Sequence, residues 1–505
     1  MSSASQRQDI LRQQSNSKEL WLYIIAAVVA MIGGLALVFG GTSNTLILTA
    51  AIATGLLILR DFRIGVIFLI MLMPLAESTF FPRQMFGITG MNPVNLLMLA
   101  TLGSYAIKHM FGNSGYTFMP RQLFWLYLIP IILAGIHGAM SANEIPSYLQ
   151  PLGVTTFDGP VGYLRDIMMK PLLLVILALL VGAAVYESER PELFFIPALI
   201  MLWVYSLMII GAYAFAGQSL NTLAEGSSRG FLSKLGMHAN DLGFLLSIAY
   251  TLILFIQAYL IASLLKAIMI MSLVVIATAL ILTFSRGAYL GFAVANVIFL
   301  LSRKRFKVVI YGLLIAALLM LAMPDAVYER LGMGVSSGNV DKISAGRVDG
   351  IWIPLLPELL KNPVVGQGLS SILWSDAMKQ GVMLPVGHPH NAYLDVLLDM
   401  GVVGLALFTA FFWYIWKGFR NSMAQEANGD FMRGLFEGAS IVLIVLLAQG
   451  ISGQRFTPIP PEILLWTSIG YLFGYQAKWL NSRLQNANES GMHDTGMDAR
   501  VVRVS

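Results

Sequence analysis

At 505 residues the chain has the length of about three or four soluble domains. Yet 57% of it is apolar, only 12% is charged, and the mean hydropathy is +0.73, which excludes a water-facing fold and makes it an integral membrane protein. The net charge of +5 is small, and the absence of cysteine excludes disulfides, thiolate metal sites and a cysteine nucleophile.

A spanning helix needs about 20 mostly apolar residues. In chain order the apolar runs fall near 20–40, 44–59, 64–77, 93–110, 122–141, 164–186, 193–216, 239–262, 266–284, 287–302, 307–324, 391–416, 434–452 and 460–478. Three of them are short, so the expectation is an all-α polytopic membrane protein with about 12–14 transmembrane helices. Residues 1–19 are polar and the first run is long, which predicts an uncleaved anchor behind a cytoplasmic tail. The expected divisions are that tail (1–19), an N-terminal bundle (20–225), spans carrying arginine motifs (226–324), a large outer loop (325–390), C-terminal spans (391–480) and a second cytoplasmic tail (481–505).

Basic residues set the sidedness. With the N-terminus inside and the spans alternating, clusters such as Arg303-Lys304-Arg305 and Lys417/Arg420 fall on the cytoplasmic side. The outer loop from Asp325 to His390 contains an amphipathic stretch, GRVDGIWIPLLPELLKNP, and a second short helical segment, LSSILWSDAMKQ, so it is expected to be a structured helical cap.

Arg83, Arg165, Arg229, Arg286, Arg330, Arg347 and Arg455 fall outside, against the charge rule. Singly, each reads as an interface anchor whose head snorkels to water. Those at span ends or in loops, Arg165, Arg229, Arg286 and Arg347, together read as a cationic pocket for an anion, because guanidinium is always charged and grips phosphate with two bonds. At that depth the anion is a lipid phosphate or diphosphate. His238, His388 and His390 also lie outside, and an imidazole near neutrality accepts a proton from a hydroxyl. Two histidines flanking a proline do not share a helix face, so one of the pair is expected to face the chemistry. A His–His metal site is the competing reading, but it has no carboxylate at useful spacing. Walker-A, HExxH, GxSxG and DxD patterns are absent; Asp395 and Asp399 come nearest to the last. Trp352 reads as packing or sugar stacking, Asp166 as the local partner of Arg165, and Gln454-Arg455 as a loop pair within reach of a glycan but not among the expected site residues.

At His390 the sequence reaches a recognisable pattern. HPHNAYLDVLLDMGVVGLALF has His-Asn, nine residues, Gly, two residues, Gly. TFSRGAYLGF, SAGRVDGIW followed by NPVVGQG, and SRGFLSKLGMHANDLG precede it in order. Over about 226–407 the chain resembles the O-antigen ligase and polysaccharide polymerase superfamily. That resemblance implies a GT-C-like membrane glycosyltransferase of the bacterial inner membrane, with both termini cytoplasmic and its site on the periplasmic face. It implies a lipid-linked donor, undecaprenyl diphosphate glycan, and no metal or other cofactor. His390 matches the loop histidine taken as base or acceptor-positioning group; Arg286, Arg347 and Arg229 match diphosphate contacts. Arg165 joins them by position alone, and Asn391, His388 and His238 are expected to support the site. The long chain and moderate loop favour polymerisation of exopolysaccharide repeats, with a growing polysaccharide as acceptor. A ligase acting on lipid A-core is the alternative, and a polysaccharide or lipid flippase the alternative of another class. The expected partners are the lipid donor, the acceptor, the bilayer, a chain-length regulator and export machinery, with no nucleic acid.

Overall fold

The computed structural model describes residues 54–77, 84–85, 88–89, 92–110, 116–215, 232, 238–261, 263–304, 341, 344, 346–425, 429–453 and 455–489. The expected spans at 20–40 and 307–324, both polar tails except 481–489, and Arg83, Arg229, Arg330 and Gln454 lie outside them. Among the described residues the chain is helical apart from a two-residue antiparallel ladder, in which Gln84 pairs with Thr89 and Met85 with Ile88.

In order, the helices are α1 (Phe62–Leu72), α2 (Pro93–Met110), α3 (Arg121–Glu144), α4 (Gly159–Glu187), α5 (Pro191–Phe215), α6 (Ala239–Tyr259), α7 (Leu264–Leu282), α8 (Arg286–Ser302), α9 (Ile353–Leu359), α10 (Asp376–Lys379), α11 (Ala392–Met423), α12 (Asp430–Gly450) and α13 (Ile463–Glu489). Among the described residues, 7 are long and apolar enough to cross a membrane: α3 to α7, α11 and α12. Two more, α1 and α8, are apolar but shorter. The expected last span at 460–478 forms α13, whose Gln476, Lys478 and Asn481 make it more polar than its neighbours.

Helix α6 is the axis of the bundle. Its apolar window is 83% buried, against 28% for α7 at the periphery. It packs on α7, α8 and α12. Helices α4 and α13 form a second tight pair. A Cβ added at Gly470 would sit 2.4 Å from the Ala178 carbonyl, and one at Gly474 2.5 Å from that of Gly182. Small residues spaced four apart let two backbones approach this closely, which matters where lipid removes any hydrophobic drive. Tyr127 of α3 ties the remaining layers together, packing on Phe408 and Phe411 of α11 and on Trp466 of α13.

The sequence predicts one uninterrupted span after His390, but α11 is broken at Gly401, with φ 62° and ψ −164°. In an unbroken helix the Val402 and Val403 amides would donate to the Leu398 and Asp399 carbonyls. Here Val402 donates to Pro363 and Val403 to Val364, while Leu398 and Asp399 accept from Gln367 and Gly368. The loop thus fills the gap with its own backbone and leaves none of the four groups unsatisfied, as a buried or lipid-embedded site demands. Gly366 and Gly401 make the approach possible. A Cβ on Gly366 would lie 2.3 Å from the Asp399 carbonyl carbon, and one on Gly401 would lie 2.4 Å from that of Val364. Asp399 closes the joint, accepting from the Ser370 amide at 2.7 Å and the Ser371 amide and hydroxyl at 2.9 Å.

Gly401→Ala and Gly366→Ala each combine a clash with a left-handed backbone worth about 1–3 kcal/mol. Both are expected to lower the thermal midpoint in detergent and expose 363–371 to protease. An unchanged midpoint with an uncut loop refutes the interlock.

Candidate functional site

Four helix ends meet where the loop returns to the bundle. His238 caps α6, its Nδ1 accepting from the Asn240 amide at 3.2 Å. Ser285 caps α8 and sets Arg286 in its first turn. Asn391 caps α11, accepting from the Tyr393 and Leu394 amides at 3.0 and 3.1 Å. The fourth end is the C-terminus of α12, where Gln449 donates to the Gly287 carbonyl at 2.7 Å and to the Ser247 hydroxyl at 3.1 Å. Buried Gln449 therefore fixes α8, and Arg286 with it, against α6 and α12. Three helix N-termini at one locus add positive potential to whatever cations gather there.

The histidines sit on a tight turn. His390 has φ 53°, a left-handed conformation unusual for a residue with a Cβ, and such strain concentrates at functional sites. The turn folds back so that the His390 amide donates to His388 Nδ1 at 3.3 Å and the two rings lie 4.1 Å apart. Sequence reasoning expected one of the pair to face the chemistry; the left-handed turn brings both together. Trp352 donates its indole N–H to the Pro389 carbonyl at 2.8 Å, so its edge braces the turn.

The cations surround this turn. Arg347 precedes a wide, π-type first turn (Val348–Trp352) and donates to the Ser452 carbonyl. Burial, then the nearby charge of Arg286, push the Arg347 guanidinium below its usual range. Two guanidiniums held close enough to oppose each other favour an anion between them. Arg455 donates to the Gly387 carbonyl at 2.8 Å and lies 3.7 Å from Asp395.

Both histidines are held neutral. Burial first, then Arg347, Arg455 and His238, lower His390 from 6.5 to about 4. Burial and Arg455 lead in pushing His388 well below the ordinary value. A neutral imidazole half-exposed beside cations is a proton acceptor.

The structure therefore brings together His238, Arg286, Arg347, His388, His390 and Asn391. Arg229 lies outside the described residues. Arg165 is gripped by its neighbour Asp166 at 2.8 Å, as the sequence suggested, and its described contacts do not reach the histidine turn. Asp399, part of the nearest approach to a DxD pattern, is committed to the loop joint. Among the described residues no group of three or more His, Asp or Glu side chains could hold a metal. The sequence offered Arg455 only as a glycan contact outside the expected site residues, and gave no role to Gln449. The one available signal was a polar Gln at the end of an apolar run, followed by Gly-Ile-Ser-Gly-Gln-Arg.

His390 is expected to titrate near pH 4. In the unfolded chain it takes up its proton around 6.5, so its stabilisation is present above that value and is lost as pH falls through the folded value. Histidine-selective NMR of the solubilised protein checks this, and a His390 midpoint at or above 6.5 contradicts the packing described.

Residues 271–409 match the family described as O-antigen ligase. That stretch holds α7, α8, the loop, the histidine turn and the α11 break. A "Putative polysaccharide ligase" of Rickettsia prowazekii is 27% identical over 206 residues, covering 36% of this chain and 49% of that protein. Another of that name, from Rickettsia conorii, is 28% identical over 25% of this chain and 33% of its own length. An "O-antigen ligase" of Pseudomonas aeruginosa is 28% identical over 221 residues, covering 42% of this chain and 48% of its own. The chain spans about half the length or less of these curated relatives. Over residues 271–409, and in the motifs inside them, the chain is similar to the O-antigen ligase family.

Proposed function

We propose that the chain transfers a glycan from undecaprenyl diphosphate to a sugar hydroxyl on the periplasmic face of the bacterial inner membrane. The observation that carries this reading is the neutral His388–His390 turn beside Arg347 and Arg286. In the reaction, the acceptor oxygen attacks the anomeric carbon of the donor. The bond from that carbon to the diphosphate oxygen breaks, and undecaprenyl diphosphate leaves with the electron pair. His390 takes the acceptor proton, and Arg286 and Arg347 hold the charge that grows on the leaving group. The diphosphate is already a good leaving group, so the work is orientation and charge stabilisation, and the step uses no metal. Arg229 is retained as a further candidate for the same anion site, whereas Arg165, held by Asp166, is not.

We assign polymerisation of exopolysaccharide repeats as the first reading of the acceptor, on the length of the chain ahead of the matched domain and the moderate size of the loop. Transfer to lipid A-core is the second reading, and the similarity to proteins named polysaccharide ligase and O-antigen ligase supports a ligase. A flippase would use neither a strained histidine turn nor a base held neutral at its ring.

Complementation of a deletion strain decides between them. His390→Ala is expected to abolish function. Arg347→Ala is expected to reduce turnover about 10²–10³-fold, the usual effect of losing one donor to a developing negative charge. Loss of high-mass secreted polymer with intact lipopolysaccharide, and single lipid-linked repeats accumulating, identifies a polymerase. Loss of polymer from lipopolysaccharide, with long lipid-linked chains accumulating, identifies a ligase. Full complementation by His390→Ala at normal expression overturns both.

A further inference from the structure

The segment between α12 and α13 does more than connect them. It is anchored on both sides of Arg455: the Ser452 carbonyl accepts from Arg347, and the Phe456 carbonyl accepts from the Tyr127 hydroxyl at 2.6 Å. The Phe456 ring packs edge-on against Tyr393, 4.9 Å between centroids, and against Phe412. The backbone that carries Arg455 is thus fixed to the loop, to α3 and to α11.

Arg455 reaches from this fixed point to the histidine turn. One Nη donates to the Gly387 carbonyl, the residue before His388, at 2.8 Å. Its Nε, buried and without a hydrogen bond among the described residues, faces Asp395 at 3.7 Å. Asp395 lies in the first turn of α11, four residues after Asn391. Asp241, in the first turn of α6, also feels the Arg455 charge. Arg455 is therefore flanked by carboxylates from two helices, whereas Arg347 has the positive Arg286 as its charged neighbour. A guanidinium already balanced by acids is poorly suited to bind a diphosphate, and well suited to lock three elements in register.

We propose that Arg455 is a positioning residue for the transfer, clamping the turn that carries His388 and His390 to the first turn of α11 while Arg286 and Arg347 take the anion. This rests on the function proposed above. The residue lies outside the stretch that matches the family, so that match does not assign it. Its charge has a second effect. Facing the histidine turn are Arg347, Arg455, His238 and the two histidines themselves, with Asp395 and Asp241 beside Arg455. Arg455 is among the cations that oppose protonation of the pair.

The test uses the full-length protein in nanodiscs with a polyprenyl-diphosphate glycan donor, comparing wild type, Arg455→Gln and Arg455→Lys. Arg455→Gln is expected to lower kcat about 100-fold, the scale of a misplaced catalytic group, with the donor KM within about twofold. The acid limb of its pH profile should move up, because one opposing charge has gone. Arg455→Lys, which keeps the charge but loses the fork, should restore the limb and only part of kcat. A raised donor KM with kcat retained would mean that Arg455 holds the donor, and overturns the proposal. So does a lowered kcat with an unmoved limb, which a purely structural role would give. Histidine-selective NMR of the same variants needs no donor. If wild type fails to turn over, the proposed reaction fails, and the titration still decides this inference: upward shifts of His388 and His390 in Arg455→Gln support it, unchanged midpoints refute it. Should Arg455→Gln not fold, Arg455→Lys carries the test, since normal kcat in that variant refutes the clamp.

Discussion

At Gly401 the backbone leaves the helical region, and the two amides and two carbonyls that would have bonded one another pair instead with residues 363–368. In water such a break is tolerable, because solvent satisfies what the helix gives up. In or near a bilayer it is tolerable only where protein backbone takes over. The loop and the helix are therefore conditions of each other. Without 363–368 the break would leave polar groups unpaired, and without the break the loop would have no backbone to dock on. The histidine turn hangs between these two, with His390 eleven positions ahead of the break, and is held by the same loop through Trp352.

The electrostatics follow from that geometry. Docking the loop places Arg347 beside Arg286, which α8 presents from the bundle. It also half-buries the histidine turn, and burial is the leading cause of both imidazoles staying neutral. Cations that repel one another and bases that stay unprotonated thus arise from a single packing event. Neither property belongs to an individual residue. Gln449 does the corresponding work on the bundle side, since its amide bonds fix the turn that begins with Ser285 and Arg286.

Much of this was legible in the sequence, for physical reasons. Spans declare themselves by length and composition, so α3 to α7, α11 and α12 coincide with their apolar runs. Helix caps are local, and Ser285 and Asn391 stand where capping chemistry places them. The spacing from Asn391 to Gly401 was visible as a motif; its meaning was not, because the backbone that Gly401 meets is that of Val364 and Val365, far upstream, and no local rule links them. The pairing of His388 with His390 was hidden for a different reason. Alternation across a proline argues for opposite faces, and only a left-handed residue at 390 reverses that. Arg455 was hidden by distance, since its partners Gly387, Asp395 and Asp241 come from three separate segments. Arg165 shows the converse: a cation at a span end, attractive by position, whose nearest acid was one residue away.

The joint between loop and helix is made very largely of main chain. Four of its bonds join backbone to backbone, and side chains enter only through Asp399 and the Ser371 hydroxyl. A segment fastened by its backbone keeps its other side chains at liberty. The stretch beyond the joint, from α10 to the histidine turn, exposes the Val382 and Leu384 side chains, and is tied back by backbone bonds such as that from the Leu384 amide to the Gly350 carbonyl. Substitutions on that outer face would leave the backbone bonds of the joint as they are, so the surface of the loop and its anchorage can change independently.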